Sequence, residues 1–164
     1  MAFVVAWLLN VLGAVPGVNS ITNLTWYGVG VWELNIFGFF AMTMIGAIYY
    51  IVPQVTGIAW PSVGSPKRHY WFALIGVFLI VVPLVIGGFV EGFNLRNVKM
   101  SDLDVARNAT NFVRVTLLGE VLILLGNLIL LGNLISLSVR YSKLHLLPAY
   151  KGALVEVNPA EVKP

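Results

Sequence analysis

Two carboxylates, Glu33 and Glu120, stand inside long apolar runs, and their type and setting could do chemistry. Glu33 lies about seven residues past Trp26 at the start of one run, and Glu120 about eight past Phe112 at the start of another. If both runs are membrane helices entered from the same side, the two carboxyls share a depth. An unpaired carboxylate at a bilayer centre costs roughly 2.5–3.5 kcal/mol on insertion scales and less near the surface. Each must therefore be protonated, paired or wetted, and Arg96 and Arg114 are the candidate partners near that face. One reading is a proton or ion path through Glu33 and Glu120. The plainer reading is a pair of polar contacts that lock helices together or to a neighbouring subunit. Two carboxylates without a basic relay make a thin path, which favours the plainer reading.

Three amides extend the set. Asn35 follows Glu33 by two residues, and Asn127 and Asn133 lie in a near-repeat, LLGEVLI-LLGNLIL-LGNLISL. Glu120 and Asn127, seven apart, share a helical face, whereas Asn133 is rotated off it. Gly119, Gly126 and Gly132 thin this helix so that another backbone can approach. A subunit interface with buried amide bonds is the favoured reading, and packing within the chain is the alternative.

The histidines add little. His69 sits in a Lys-Arg-His run and His145 in the tail, outside the apolar runs and without the i, i+4 spacing of a metal pair. Both are expected to be solvated or to face headgroups. No catalytic residue, catalytic triad, phosphate-binding glycine loop or metal site is apparent. The chain has no cysteine, so thiolate metal sites, disulfides and covalent haem attachment are excluded.

The elements that must carry these residues are read from composition. Hydrophobic residues make up 59% and charged residues 10%, with mean hydropathy +0.88. A soluble domain carries roughly 25% charged residues. The pattern predicts an all-α integral membrane protein with no nucleic-acid partner, since no basic stripe interleaves with aromatics. Residues 1–141 are read as four transmembrane helices at about 2–16, 26–53, 70–90 and 112–139, with residues 142–164 as an irregular tail. The first helix is short, ended by Pro16-Gly17, against the roughly 20 residues a span needs. Val18 to Thr25 and Glu91 to Asn111 read as loops, and Gly57, Pro61, Gly64 and Pro66 as breaking the chain before the third helix. Pro83 is expected to kink that helix. Trp26, Tyr27 and Trp32 at one end of the second helix, and Tyr49 with Tyr50 at the other, form interfacial belts. Lys67, Arg68, Arg140, Lys143, Lys151 and Lys163 lie on the side of the termini, against Arg96, Lys99, Arg107 and Arg114 opposite. This excess predicts cytoplasmic termini. The start Met1-Ala2-Phe3 lacks the basic residues of a cleaved signal.

Within the second helix, Asn35-Ile36-Phe37-Gly38-Phe39-Phe40 and Gly46-Ala47-Ile48-Tyr49-Tyr50-Ile51-Val52-Pro53, followed by Thr56-Gly57, carry a family resemblance. They resemble the tenth helix of the catalytic subunit of haem–copper oxidases, in the branch of cbb3-type oxidases and nitric oxide reductases. Val18-Asn19-Ser20 to Thr25 resembles the loop before it, and Phe112 to Asn127 the last core helix. The resemblance covers most of Met1 to Arg140 and implies the last four core helices, the first truncated.

In that register Val31 and Glu33 occupy the positions of the family's two haem-ligating histidines. Valine cannot ligate iron, and glutamate is not a usual haem ligand. The resemblance therefore implies a chain that holds neither haem nor copper alone. It would be a non-catalytic scaffold in a respiratory complex of the bacterial inner membrane, contacting lipids and partner subunits that carry haem and copper. A split catalytic subunit completed by a partner chain, and a small channel or carrier using Glu33 and Glu120, are the alternatives.

Overall fold

The structure, a computed structural model, describes residues 1–62, 64–150 and 153. Among them there is helix and no strand. The chain is an all-α integral membrane protein. Three helical stretches are long and apolar enough to cross a bilayer, and a bent pair near the N-terminus is the fourth candidate.

Helix α1 (Ala2–Ala14) stops where Val15 turns extended, at φ −64° and ψ 127°. The residue before a proline avoids the helical region, and a proline suits the first turn of a helix because it has no N–H to satisfy there. Pro16 accordingly opens a new helix, α2 (Pro16–Thr22), at 94° to α1. Proline here ends one helix and starts another, so much of the expected 18–25 loop is helical. Asn23-Leu24-Thr25 then turns the chain, with Leu24 at φ 62°.

The second apolar run forms one continuous helical stretch, Trp26–Thr56. It comprises α3 (Trp26–Glu33), a π-helical segment (Leu34–Ala41) and α4 (Met42–Thr56). Thr25 caps it by accepting from the Tyr27 N–H, and Gly57, at φ 67°, ends it in the left-handed conformation glycine tolerates. Two side chains bracket the widened segment. Asn35 Nδ2 donates to the Val31 carbonyl at 2.9 Å, and Thr43 Oγ1 donates to that of Phe39 at 2.7 Å. Such bonds compete with the backbone ladder for carbonyls, a local reason for a shifted register.

Helix α5 (Gly64–Leu95) and helix α6 (Asp102–Tyr141) outrun their expected limits of 70–90 and 112–139. Most of the expected loop from Glu91 to Asn111 is helix, and only about six residues turn between α5 and α6. Ser101 caps α6, accepting from the Asp104 N–H and donating to its carboxylate, with Asp102 and Asp104 in the positive first turn. Val105 and Ala109 bury one stripe of this polar stretch. The helix therefore continues beyond its apolar part as an amphipathic one. At the far end a π turn, Ser142–Leu146, carries helix on to Tyr150, so the start of the expected irregular tail is ordered. The rest of the tail lies outside the described residues, Ala153 excepted.

Helix α5 is the axis of the molecule, packed on α6 along one side and on α3 along the other. Small residues set both seams. A Cβ on Gly76 would stand 2.8 Å from the Gly119 carbonyl oxygen, and one on Gly119 2.6 Å from that of Gly76. Gly126 lies against His69, so Gly119 and Gly126 bring α6 onto its own hairpin partner rather than a foreign subunit. Nothing lies within 4 Å of a Cβ on Gly132. In a bilayer such backbone proximity takes the place of hydrophobic driving force. A small core of Ala6, Leu34, Val77 and Val81 joins α1, the π segment and α5. Helix α4 has no buried residue.

Candidate functional site

Val31 and Glu33, two residues apart, lie on roughly opposite faces of α3. Val31 is buried and lines, with Asn10, Tyr27 and Asn35, a cleft of about 220 Å³ between α1 and α3. Glu33 is half-buried, and its carboxyl is within coulombic range of the exposed Glu120 on α6. The tertiary structure thus brings the two glutamates into one neighbourhood.

It does not bring the arginines to them. Arg96 Nη2 donates to Ser20 Oγ at 2.7 Å, which ties the end of α5 to α2. Arg114 is exposed, six residues and hence about 9 Å of helix rise from Glu120. Among the described residues the ion pair present is Arg107 with Asp104, at 3.8 Å on the surface. The carboxylate that does find a backbone partner is Glu91, which the loop reading passed over. Its Oε2 accepts from the Trp26 N–H at 3.0 Å and so supplies an anion at the positive N-terminus of α3. Glu91→Ala is expected to cost about 0.5–1 kcal/mol, modest because the bond is exposed. Denaturant titration in mixed micelles measures it.

The amides separate. Asn35 is spent on its own helix, Asn127 is exposed, and Asn133 is buried on the α5-facing stripe of α6. His69 corrects the sequence reading outright. It is 1% exposed, the largest fully buried side chain, with Nδ1 3.1 Å from the Tyr49 hydroxyl. The reason is the early start of α5. From Gly64 onward, Ser65, His69, Ala73, Gly76 and Ile80 form one buried stripe at helical spacing, so the histidine belongs to the seam and not to the neighbouring Lys67 and Arg68. That spacing was present in the sequence, hidden by placing the helix start at residue 70.

A haem or copper site can be tested against these residues. Position 31 offers no donor atom, the His69 ring is enclosed against Gly126 with Nδ1 on Tyr49, and His145 is exposed beside Tyr141. No group of three or more histidines, cysteines or carboxylates converges among the described residues. The side chains present do not fit either cofactor.

Long apolar helices, a glycine-set seam and the Gly-Phe and Tyr-Tyr-x-Val-Pro run on the α3–α4 stretch define a membrane protein related to haem–copper oxidase subunit I. The chain belongs to the family of cytochrome c and quinol oxidase polypeptide I, whose model matches residues 1–122. It is 32% identical over 84 residues to the cbb3-type cytochrome c oxidase subunit CcoN1 of Stutzerimonas stutzeri, covering 51% of this chain and 18% of that protein. It is 26% identical over 88 residues to a cytochrome c oxidase subunit 1 homolog of Azorhizobium caulinodans, covering 51% of this chain and 15% of that one. The matches thus span less than a fifth of either relative.

Proposed function

We propose that this chain is a non-catalytic integral-membrane subunit of a cytochrome oxidase-type respiratory complex in the bacterial inner membrane, with both termini cytoplasmic. The reading rests on the register of the resemblance, which puts Val31 and Glu33 where the family has its haem-ligating histidines, and on the histidines of this chain being placed elsewhere. The bare helix α4 supports it. A half-span with no buried residue, ending in exposed Tyr50, Ile51 and Val55, leaves a face that partner helices would cover. In this reading the haem and copper reside on those partners, and the chain stabilises the assembly and meets lipid on its outer faces. The small share of the relatives' length that is matched favours one alternative, a piece of a split catalytic subunit.

The test is affinity purification from native membranes in mild detergent, through a tag after Pro164, with mass spectrometry of everything retained. Stoichiometric recovery of a complete haem-bearing oxidase subunit is the expected result. Recovery of an oxidase subunit truncated before its tenth helix would replace the scaffold with the split enzyme. Recovery of this chain alone, as a monodisperse oligomer, would overturn both and return attention to Glu33 and Glu120.

A further inference from the structure

In the cleft between α1 and α3, beside Val31, two amides are held in place by the fold and left short of partners. Asn10 Nδ2 donates to the Ala6 carbonyl at 2.8 Å, and Asn35 Nδ2 to the Val31 carbonyl at 2.9 Å, each one turn back along its own helix. Both asparagines line the cleft of about 220 Å³, together with Tyr27, Gly28 and Trp32. With one amide hydrogen tied to the backbone, each carboxamide keeps an oxygen that can accept two bonds. Among the described residues no donor is bonded to either oxygen. The hydroxyl that lines the cleft, on Tyr27, donates to the Leu9 carbonyl instead.

The cleft has room at its wall and an apolar rim. Nothing lies within 4 Å of a Cβ on Gly28, and Trp32 is 64% exposed. On the α1 side Trp7 and Val11 are exposed as well. Asn35 stands nine residues, about 13 Å of helix rise, inward of Trp26 at the aromatic end of the span. At that depth lipid offers hydrocarbon, and an acceptor without a donor is costly there. Headgroup donors lie outside this layer, so a side chain of protein is the donor that fits.

We propose that this cleft is the docking site for a transmembrane helix of a partner subunit, which inserts one long side chain with two N–H donors between Asn10 and Asn35. The docking site rests on the reading of the chain as a subunit of a membrane complex, and adds to it the face and the chemistry of contact. Glutamine, lysine and arginine carry such donors, glutamine without the cost of a charge in the bilayer. One donor hydrogen meets each carboxamide oxygen, and the backbone bonds of the two amides fix those oxygens beforehand. The stem of the inserted side chain lies along Gly28 and Trp32.

The test compares variants in affinity purification from native membranes, with the ratio of partner subunit to this chain read by quantitative mass spectrometry. Gly28→Leu fills the cleft, leaves both amides in place and is expected to lower that ratio about tenfold. Asn10→Leu with Asn35→Leu removes two interhelical bonds and is expected to lower it about as much. Because the chain has no cysteine, Gly28→Cys takes a single photoreactive maleimide label in the cleft. The expected adduct is a transmembrane peptide of the partner that contains glutamine, lysine or arginine. Should Gly28→Leu fail to fold, the double variant and the adduct decide. An unchanged ratio in a folded variant, or an adduct with lipid or with a second copy of this chain, would overturn the docking site and leave the subunit reading standing. Recovery of the unaltered chain without any partner would overturn both.

Discussion

Gly88→Val is expected to destabilise the protein by about 3 kcal/mol or more, at the upper end of what overpacking costs. A Cβ at position 88 would run into the backbone N and Cα of Tyr27, where α3 crosses α5. Backbone cannot rotate away as a side-chain end can, so the two helices must separate. That seam also carries Gly30 against Leu84 and Val85, and the Tyr27 hydroxyl donating to the Leu9 carbonyl of α1. Its opening would therefore loosen three helices together. Unfolding in a sodium dodecyl sulfate titration from mixed micelles gives the number, with Gly46→Ala as control. Nothing lies within 4 Å of a Cβ on Gly46, and alanine suits a helix better than glycine by about 1 kcal/mol in water, so the control should be neutral or slightly stabilised. A Gly88 variant as stable as the control would mean that α3 and α5 do not pack in this way.

Placing histidines at the two positions that the resemblance aligns with the family's ligands, Val31→His with Glu33→His, is expected to destabilise the chain by about 1–3 kcal/mol and to leave it without a haem absorption band. The stability loss comes mainly from position 31. Val31 is 5% exposed, so imidazole there buries polar nitrogens that the valine did not have, worth about 1–3 kcal/mol. The missing band follows from volume. The cleft beside Val31 holds about 220 Å³ and is closed on one side by α1, which Tyr27 pins through Leu9. Haem reconstitution of the purified double variant, followed by its visible spectrum, measures the second effect. A stable variant with a six-coordinate haem spectrum would show that these helices still form a haem pocket, and the non-catalytic reading would fall.

Much of this architecture was open to inspection in the linear chain, because the signals are local. The Trp26–Thr56 stretch reads as a span from hydropathy and aromatic ends alone, and the Gly-Phe and Tyr-Tyr-x-Val-Pro run within it carries the family. Boundaries failed where charge was taken to mean loop. Lys67, Arg68 and His69, and the polar stretch from Asp102 to Asn111, all lie on helices, since a helix long enough to leave the bilayer keeps its ladder and turns its polar residues to water. Val105 and Ala109 at i, i+4 marked that continuation. The misread proline is of the same kind: Pro16 blocks the helix behind it yet favours the one ahead.

The sequence by itself determined that this is a helical membrane protein and which family it belongs to. Those follow from hydropathy and residue identity, which need no partner. Only the tertiary structure decided which polar groups meet. It set Glu33 near Glu120 without an arginine, gave Glu91 to the start of α3 and Arg96 to Ser20, and buried His69 against Tyr49. Such pairings join residues twenty to eighty-seven positions apart. They depend on how closely two glycine-lined helices approach and on the rotation of each about its axis, and no local pattern along one helix specifies either.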